Sequence, residues 1–380
     1  MTKFIDTIKG LKNVGVLGFS DIIGTGISAV FWFYLATLID TEQYGEIHYF
    51  LGIAGVAFVI SLIGTSNIIT VYTAKNVKIQ STLYLLSLAG GLVSFIVIVS
   101  LFYRFDAAIM VFCYIINELT LSYLLGKKLY SSISKNVLLQ KILTFVLGIS
   151  FYYFFGVDGI LYGLALSYSH FILIIYKKFK DSKIDFSLVK SNRSFITYSY
   201  LESMVGGLRG QIDKIIVVPL LGLSVLGNYA LAFQVYSVLM ILSNVVYKYI
   251  LPQDSSGVST KKIKQIIFII SIAITIFGIV ILPLLIPTIF PKYTSASSAI
   301  QIMSMAIIPS TIGLLLVSKF LALEKGKIIL FGRLISLISI ILGMTVLGSV
   351  FGVVGIATAF VLSSIAPTVF FILILKTKNY

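Results

Sequence analysis

Apolar runs long enough to cross a lipid bilayer follow one another along nearly the whole chain, separated by only a few residues. A spanning helix needs about 20 apolar residues. Runs of that order occupy about 13–38, 47–71, 81–103, 107–125, 138–155 and 159–176. A second set occupies about 196–221, 226–250, 265–287, 296–318, 328–349 and 353–375. No water satisfies a backbone amide inside hydrocarbon, so each run must be a helix. The pattern predicts an all-α polytopic membrane protein with twelve transmembrane helices. Composition agrees: 58% of the 380 residues are hydrophobic and 11% are charged, against roughly 25% charged in soluble domains. A soluble globule and a disordered chain are both excluded. A single cysteine, Cys113, excludes a disulfide scaffold. The first run is too long for a signal-peptide core and reads as the first span.

The chain carries 29 Lys and Arg against 14 Asp and Glu. In a soluble protein such an excess points to nucleic acid; here it follows membrane sidedness instead. Of the basic residues, 23 fall on the side of the N-terminus and only Arg104 and Lys292 on the other. That asymmetry predicts both termini in the cytoplasm of a multi-pass cell-membrane protein, with no nucleic-acid partner.

The two sets of six runs resemble each other. Phe155-Gly156-Val157-Asp158-Gly159-Ile160 opens the sixth run and Phe351-Gly352-Val353-Val354-Gly355-Ile356 the twelfth, five of six residues agreeing at an offset of 196. Ser167 and Ser363 agree at the same offset. Leu38 and Gly45 match Leu220 and Gly227 at an offset of 182. Because six is even, both copies run the same way through the membrane, which implies a pseudo-two-fold along its normal. The expected organisation is an N-terminal six-helix lobe over 1–176, a basic cytoplasmic linker over 177–194 and a C-terminal six-helix lobe over 195–380. Two such lobes suit alternating access.

Ionisable groups inside a bilayer are costly and need a reason. In the seventh run Glu202, Gly206, Arg209 and Asp213 stand at i, i+4, i+7 and i+11, one helical face that Tyr198 extends by a turn. This stripe either lines a central cavity or is a self-neutralising Arg209–Asp213 pair. In the first run Asp21, Thr25, Ser28 and Trp32 share a face, and no opposite charge stands at helical spacing from Asp21. Asp21 either binds a coupling proton or sodium ion or pairs with Arg209. Glu118 in the fourth run has coupling and packing roles open. Lys141 and Arg333 fall near the cytoplasmic ends of equivalent runs; they either snorkel to headgroups or form a basic entrance for a phosphate-bearing substrate. The embedded acids Asp21, Glu118, Glu202 and Asp213 balance Arg209, Lys214, Lys141 and Arg333. An overwhelmingly cationic cavity is therefore not expected.

Catalytic machinery is missing from the sequence. There is no G-x-x-x-x-G-K-[ST] phosphate loop, and His48 and His170 have no metal-ligand spacing, so no metal site is expected. The outer loops are too short to build a polymerase or glycosyltransferase site. No catalytic residue and no cofactor is assigned.

Gln211-Ile212-Asp213-Lys214 followed by Leu221-Gly222-Leu223-Ser224-Val225-Leu226-Gly227-Asn228-Tyr229-Ala230 resembles the polysaccharide-biosynthesis (O-antigen-type) flippases. These belong to the multidrug/oligosaccharidyl-lipid/polysaccharide exporter superfamily. Tyr44-Gly45 with Gly64 and Ala74, Leu323-Glu324-Lys325-Gly326-Lys327, and the Gly352–Gly355 turn continue the likeness over essentially the whole chain. Many relatives have fourteen helices where twelve are read here. The resemblance implies export of a polyprenyl-(pyro)phosphate-linked oligosaccharide from the cytoplasmic to the outer leaflet for surface polysaccharide synthesis. Arg209, Lys141 and Arg333 would then attract phosphate, and Tyr198, Glu202, Asp213, Thr25, Ser28 and Trp32 would surround sugar. Membrane lipids, pathway glycosyltransferases and a polymerase or ligase are the implied partners. Asp21 also resembles the coupling acid of multidrug and toxin extrusion exporters in the same superfamily. A cation-coupled exporter of organic cations, driven by a proton or sodium gradient, is the alternative.

Overall fold

The computed structural model describes residues 2–63, 66–179 and 183–378, with side chains from residue 15 onward except 16, 178, 179 and 378. Gly64 of the resemblance and Lys180 of the basic linker lie outside the described residues. Every regular element among those described is an α-helix. In chain order they are α1 Thr2–Leu38, α2 Thr41–Ser61, α3 Ser66–Ala74, α4 Gln80–Phe102, α5 Phe105–Gly126 and α6 Tyr130–Phe155. Next come α7 Val157–Leu166, α8 Ser169–Phe179, α9 Phe186–Ser191, α10 Arg193–Arg209, α11 Ile212–Leu221 and α12 Leu223–Leu239. The last are α13 Ile241–Ser255, α14 Lys261–Val280, α15 Leu282–Ile289, α16 Thr294–Ser304, α17 Ile307–Ala322 and α18 Gly326–Lys378. Seven of these, and α7 with α8 taken as one span over Val157–Lys177, are long and apolar enough to cross a membrane; counting each of two bent pairs as one span brings the eight to ten. Leu92, Val93, Ile96 and Leu101 of α4 are each more than half exposed, a surface stable only against lipid. The chain is a multi-pass membrane protein.

Two hairpins show how the sequence repeat becomes structure. A straight α18 of 53 residues would be about 80 Å long, against about 30 Å of hydrocarbon. Instead it folds back at Gly352, whose φ of 57° and ψ of −132° suit only glycine. The arms then pack so closely that a methyl on Gly343 would sit 2.9 Å from the Ala359 Cβ, and Ser336 donates to the Ser363 carbonyl across them. Gly156, with φ 69° and ψ −158°, makes the same turn between α6 and α7. There Gly163 lies against the Leu147 carbonyl and Gly159 against that of Phe151. Ser167 and Ser363 occupy equivalent buried sites, donating to the Leu164 and Phe360 carbonyls respectively.

Contacts divide the chain into two compact units that are discontinuous in sequence. One comprises Met1–Phe31 and Phe50–Gln211; the other comprises Trp32–Tyr49 and Ile212–Tyr380. The turn joining α1 to α2 thus belongs to the second unit, and α10 to the first.

The seventh run departs from the continuous helix expected over 196–221. α10 ends at Arg209, the amides of Gly210 and Gln211 turn back to the Gly207 and Leu208 carbonyls, and α11 begins at Ile212. Three glycines in five residues, Gly206, Gly207 and Gly210, weaken the helix at that point. Arg209 closes an element of the first unit, and Asp213 opens one of the second.

Candidate functional site

In the first unit, α1 and α6 run side by side. Ser20 Oγ donates to Ser134 Oγ at 3.1 Å, and Phe31 meets Phe145 edge-on with centroids 6.4 Å apart. Between these contacts the aliphatic stem of Lys141 lies against Gly24, where a methyl would be 3.4 Å from its Cγ. Gly24 stands on the same face as Asp21, Thr25 and Ser28, all three half-buried. Thr25 directs its hydroxyl to the Asp21 carbonyl at 2.7 Å, keeping the apolar side of α1 free of it. Lys141 therefore stands eleven residues inside a 26-residue helix, about 17 Å from its start, beside the polar face of α1. The sequence placed it at a helix end because the apolar run opens at about 138; the helix itself begins at Tyr130. Behind Lys141, Gln140 and Thr144 both reach Ser167 Oγ at 3.1 Å in a buried polar knot.

A second group gathers where α3 begins. Ser66 hydrogen-bonds the Glu118 carboxylate of α5, and the next residue, Asn67, lies 3.5 Å from Glu202 Oε2 of α10. Two acids read separately in the sequence thus flank one helix N-terminus, whose partial positive charge favours carboxylates. Tyr200 Oη donates to the Ile60 carbonyl at 2.7 Å and Gly207 admits Val59, which locks α10 to α2. Tyr198 is 45% exposed, and Arg209 is half-buried at the end of α10.

In the second unit, Asp213 is buried and accepts from Tyr229 Oη at 2.8 Å and from the Lys214 amide at 2.9 Å. Its carboxylate ties α11 to α12. Trp32 stands further along α1. It packs on His48 and Tyr44, with centroids 4.5 and 5.9 Å away, in a cluster that Tyr293 closes 5.6 Å from Tyr44. His48 Nε2 and Tyr44 Oη are buried without a hydrogen bond among the described residues, and Lys214 lies within electrostatic reach of His48. The Tyr44–His48 pair at i, i+4 was the available signal for this cluster. Arg333, on the first arm of α18, lies within electrostatic reach of Tyr247 in α13.

The same unit contains a reciprocal helix crossing. Gly45 of α2 abuts the Leu223 carbonyl, and Gly227 of α12 abuts the Thr41 carbonyl. Both pairs are related by the offset of 182 found in the sequence. Thr41 and Ser224 share a hydroxyl hydrogen bond of 2.7 Å. Tyr293 Oη donates to the Ile39 and Asp40 carbonyls at 3.3 and 3.2 Å. Burial, and then the Asp40 charge, push the Tyr293 phenol above its ordinary pKa and keep it a donor. Glycine at both crossing points is what lets the two backbones approach, as in small-residue packing within membranes.

No family model matches the chain, and no curated protein does. Solved structures do match in fold. The lipid II flippase MurJ in an inward closed conformation aligns with a TM-score of 0.76 at 14% identity, over 95% of this chain and 87% of that one. An inward-facing multidrug resistance MATE family transporter of the MOP superfamily aligns at 0.68 and 16%, over 94% of each chain. A MOP superfamily transporter from Pyrococcus furiosus aligns at 0.61 and 16%, over 97% and 95%. The chain shares its fold with these transporters and this flippase.

Proposed function

We propose that the chain exports a polyprenyl-(pyro)phosphate-linked oligosaccharide across the membrane by alternating access. The supporting observation is the TM-score of 0.76 to a lipid II flippase, above the 0.61–0.68 of the MATE-type and Pyrococcus structures. In this reading the chain crosses twelve times. Ten crossings come from the spans and bent pairs, one from the second arm of α18 and one from α10 with α11. Both termini lie on the basic, cytoplasmic side, and residues 1–176 and 195–380 are the six-helix lobes joined by 177–194. The Gly45–Gly227 crossing lies on the outer side. Lys141, Arg209 and Arg333 receive phosphate, while Thr25, Ser28, Trp32, Tyr198 and Glu202 serve the glycan path and Asp213 braces α11 against α12 through Tyr229. O-antigen or a related surface polysaccharide is the product class, with pathway glycosyltransferases and a polymerase or ligase on either side of the step.

A second reading is favoured by a specific observation. Glu118 and Glu202 both engage the start of α3, and Asp21 shares a polar face on α1, so the first unit holds three embedded acids. That arrangement suits a proton- or sodium-coupled exporter of organic cations. Extraction of lipid-linked intermediates from cells lacking the protein separates the two. A completed polyprenyl-linked oligosaccharide that accumulates, shielded from an external probe, supports the flippase. Loss of glycan export in Arg209→Ala completes that case. An unchanged lipid pool, with drug resistance lost in Asp21→Asn alone, overturns it.

A further inference from the structure

α13, α14 and α17 line an open cavity of about 650 Å³ at one end of the second unit, inside the roughly 300–1,000 Å³ range of small-molecule sites. Its polar wall carries Lys261, Lys264 and Lys319 together with Thr260 and Asp254. Asp254 fastens the three elements: it accepts from Thr260 at 2.6 Å, from Ser318 at 2.7 Å and from Lys264 at 2.9 and 2.7 Å. One carboxylate against three ammonium groups leaves a net charge of two positive on that wall. The Thr260 hydroxyl is directed to Asp254 and makes no cap bond to α14. The first-turn amides of a 20-residue helix therefore add positive potential at the same place.

Further along the same helix faces the lining turns apolar: Phe268 stands a turn beyond Lys264 on α14, Leu315 a turn before Lys319 on α17, and Val258, Phe268 and Leu323 remain 53%, 38% and 40% exposed. A cation-rich wall beside an exposed apolar rim is the complement of an amphiphile with an anionic head.

We propose that this cavity binds the phosphate of an anionic phospholipid, with the acyl chains lying over Phe268 and Leu323. Inorganic phosphate shares the head chemistry, and the apolar rim commits the site to the lipid. The inference rests on the topology given above, which puts this end at the basic side of the membrane. It is independent of which substrate the protein moves.

The test uses the full chain in neutral detergent micelles, with short-chain phosphatidylglycerol, phosphatidylcholine and inorganic phosphate as separate probes. Binding is read by native mass spectrometry and by the unfolding midpoint. Phosphatidylglycerol binds the native chain, and its affinity falls about tenfold or more in Lys261→Gln/Lys319→Gln, each basic group near a lipid surface being worth about a factor of five. Lys75→Gln/Lys78→Gln, on the exposed turn after α3, leaves it unchanged. Because Lys261 is exposed, Lys261→Gln alone keeps the fold and shows part of the loss. Native affinity in the double variant overturns the proposal. So does stabilisation by inorganic phosphate equal to that by the lipid, or by phosphatidylcholine equal to that by phosphatidylglycerol.

Discussion

Replacing Gly45 or Gly227 by alanine opens the crossing that binds α2 to α12. A Cβ on Gly45 lies 2.8 Å from the Leu223 carbonyl carbon and 2.9 Å from the Gly227 nitrogen, and nearer still to the Leu223 oxygen. On Gly227 it lies 2.8 Å from the Thr41 carbonyl carbon. Ordinary carbon contacts need about 3.5–4.0 Å, and all these neighbours are backbone, which no rotamer change can move aside. The helices must part by about 1 Å. That costs about 1–3 kcal/mol of overpacking and roughly 1 kcal/mol more as the 2.7 Å Thr41–Ser224 bond is lost. At 1.4 kcal/mol per factor of ten, the closed crossing becomes at least about tenfold less populated. The assay is disulfide formation between Thr41→Cys and Ser224→Cys in a Cys113→Ala background. Gly45→Ala slows cross-linking about tenfold or more, as does Gly227→Ala. The double alanine adds little, because one substitution has already parted both contacts. Unchanged cross-linking in both single variants refutes the close-approach argument, and full additivity refutes the idea of one shared crossing.

Asp213→Ala leaves the buried Tyr229 hydroxyl without its acceptor and lowers stability by about 1–3 kcal/mol. Asp213→Asn keeps an acceptor and costs less, an order that unfolding midpoints check. Gly352→Ala forces a side chain to φ 57°, ψ −132° and costs on the order of 1–3 kcal/mol; Gly326→Ala, at an open helix start, costs a few tenths at most. Donation from the Ser187 hydroxyl and amide holds the Asp185 carboxyl below its ordinary pKa. Its stabilisation of α9 is therefore complete above the unfolded carboxyl value near about 3.9 and is lost as pH falls through the lower folded one. A spin label at Val189 gains mobility over that acid range in the native chain, and Asp185→Ala abolishes the pH dependence.

Much of this molecule was legible in one dimension. Apolar run length fixed a helical membrane protein, because hydrocarbon offers the backbone no partner except itself. The glycine turns at 156 and 352 were visible at an offset of 196, and the Gly45 and Gly227 positions at an offset of 182. Each is a local demand on φ or on close approach that only glycine meets, so it leaves a mark in the chain.

The partners of the charged side chains left no such mark. Helical spacing ranks residues around one helix and is silent about which neighbour that face meets. Asp213 bonds Tyr229, sixteen residues away. Lys141, read at a helix end from hydropathy alone, stands inside α6 against Gly24 of α1. Trp32 packs on Tyr44 and His48. Glu118 and Glu202, 84 residues apart in the chain, met at Ser66 and Asn67. Those contacts follow from how whole helices pack, which depends on the summed fit of many apolar side chains rather than on the spacing of a few polar ones.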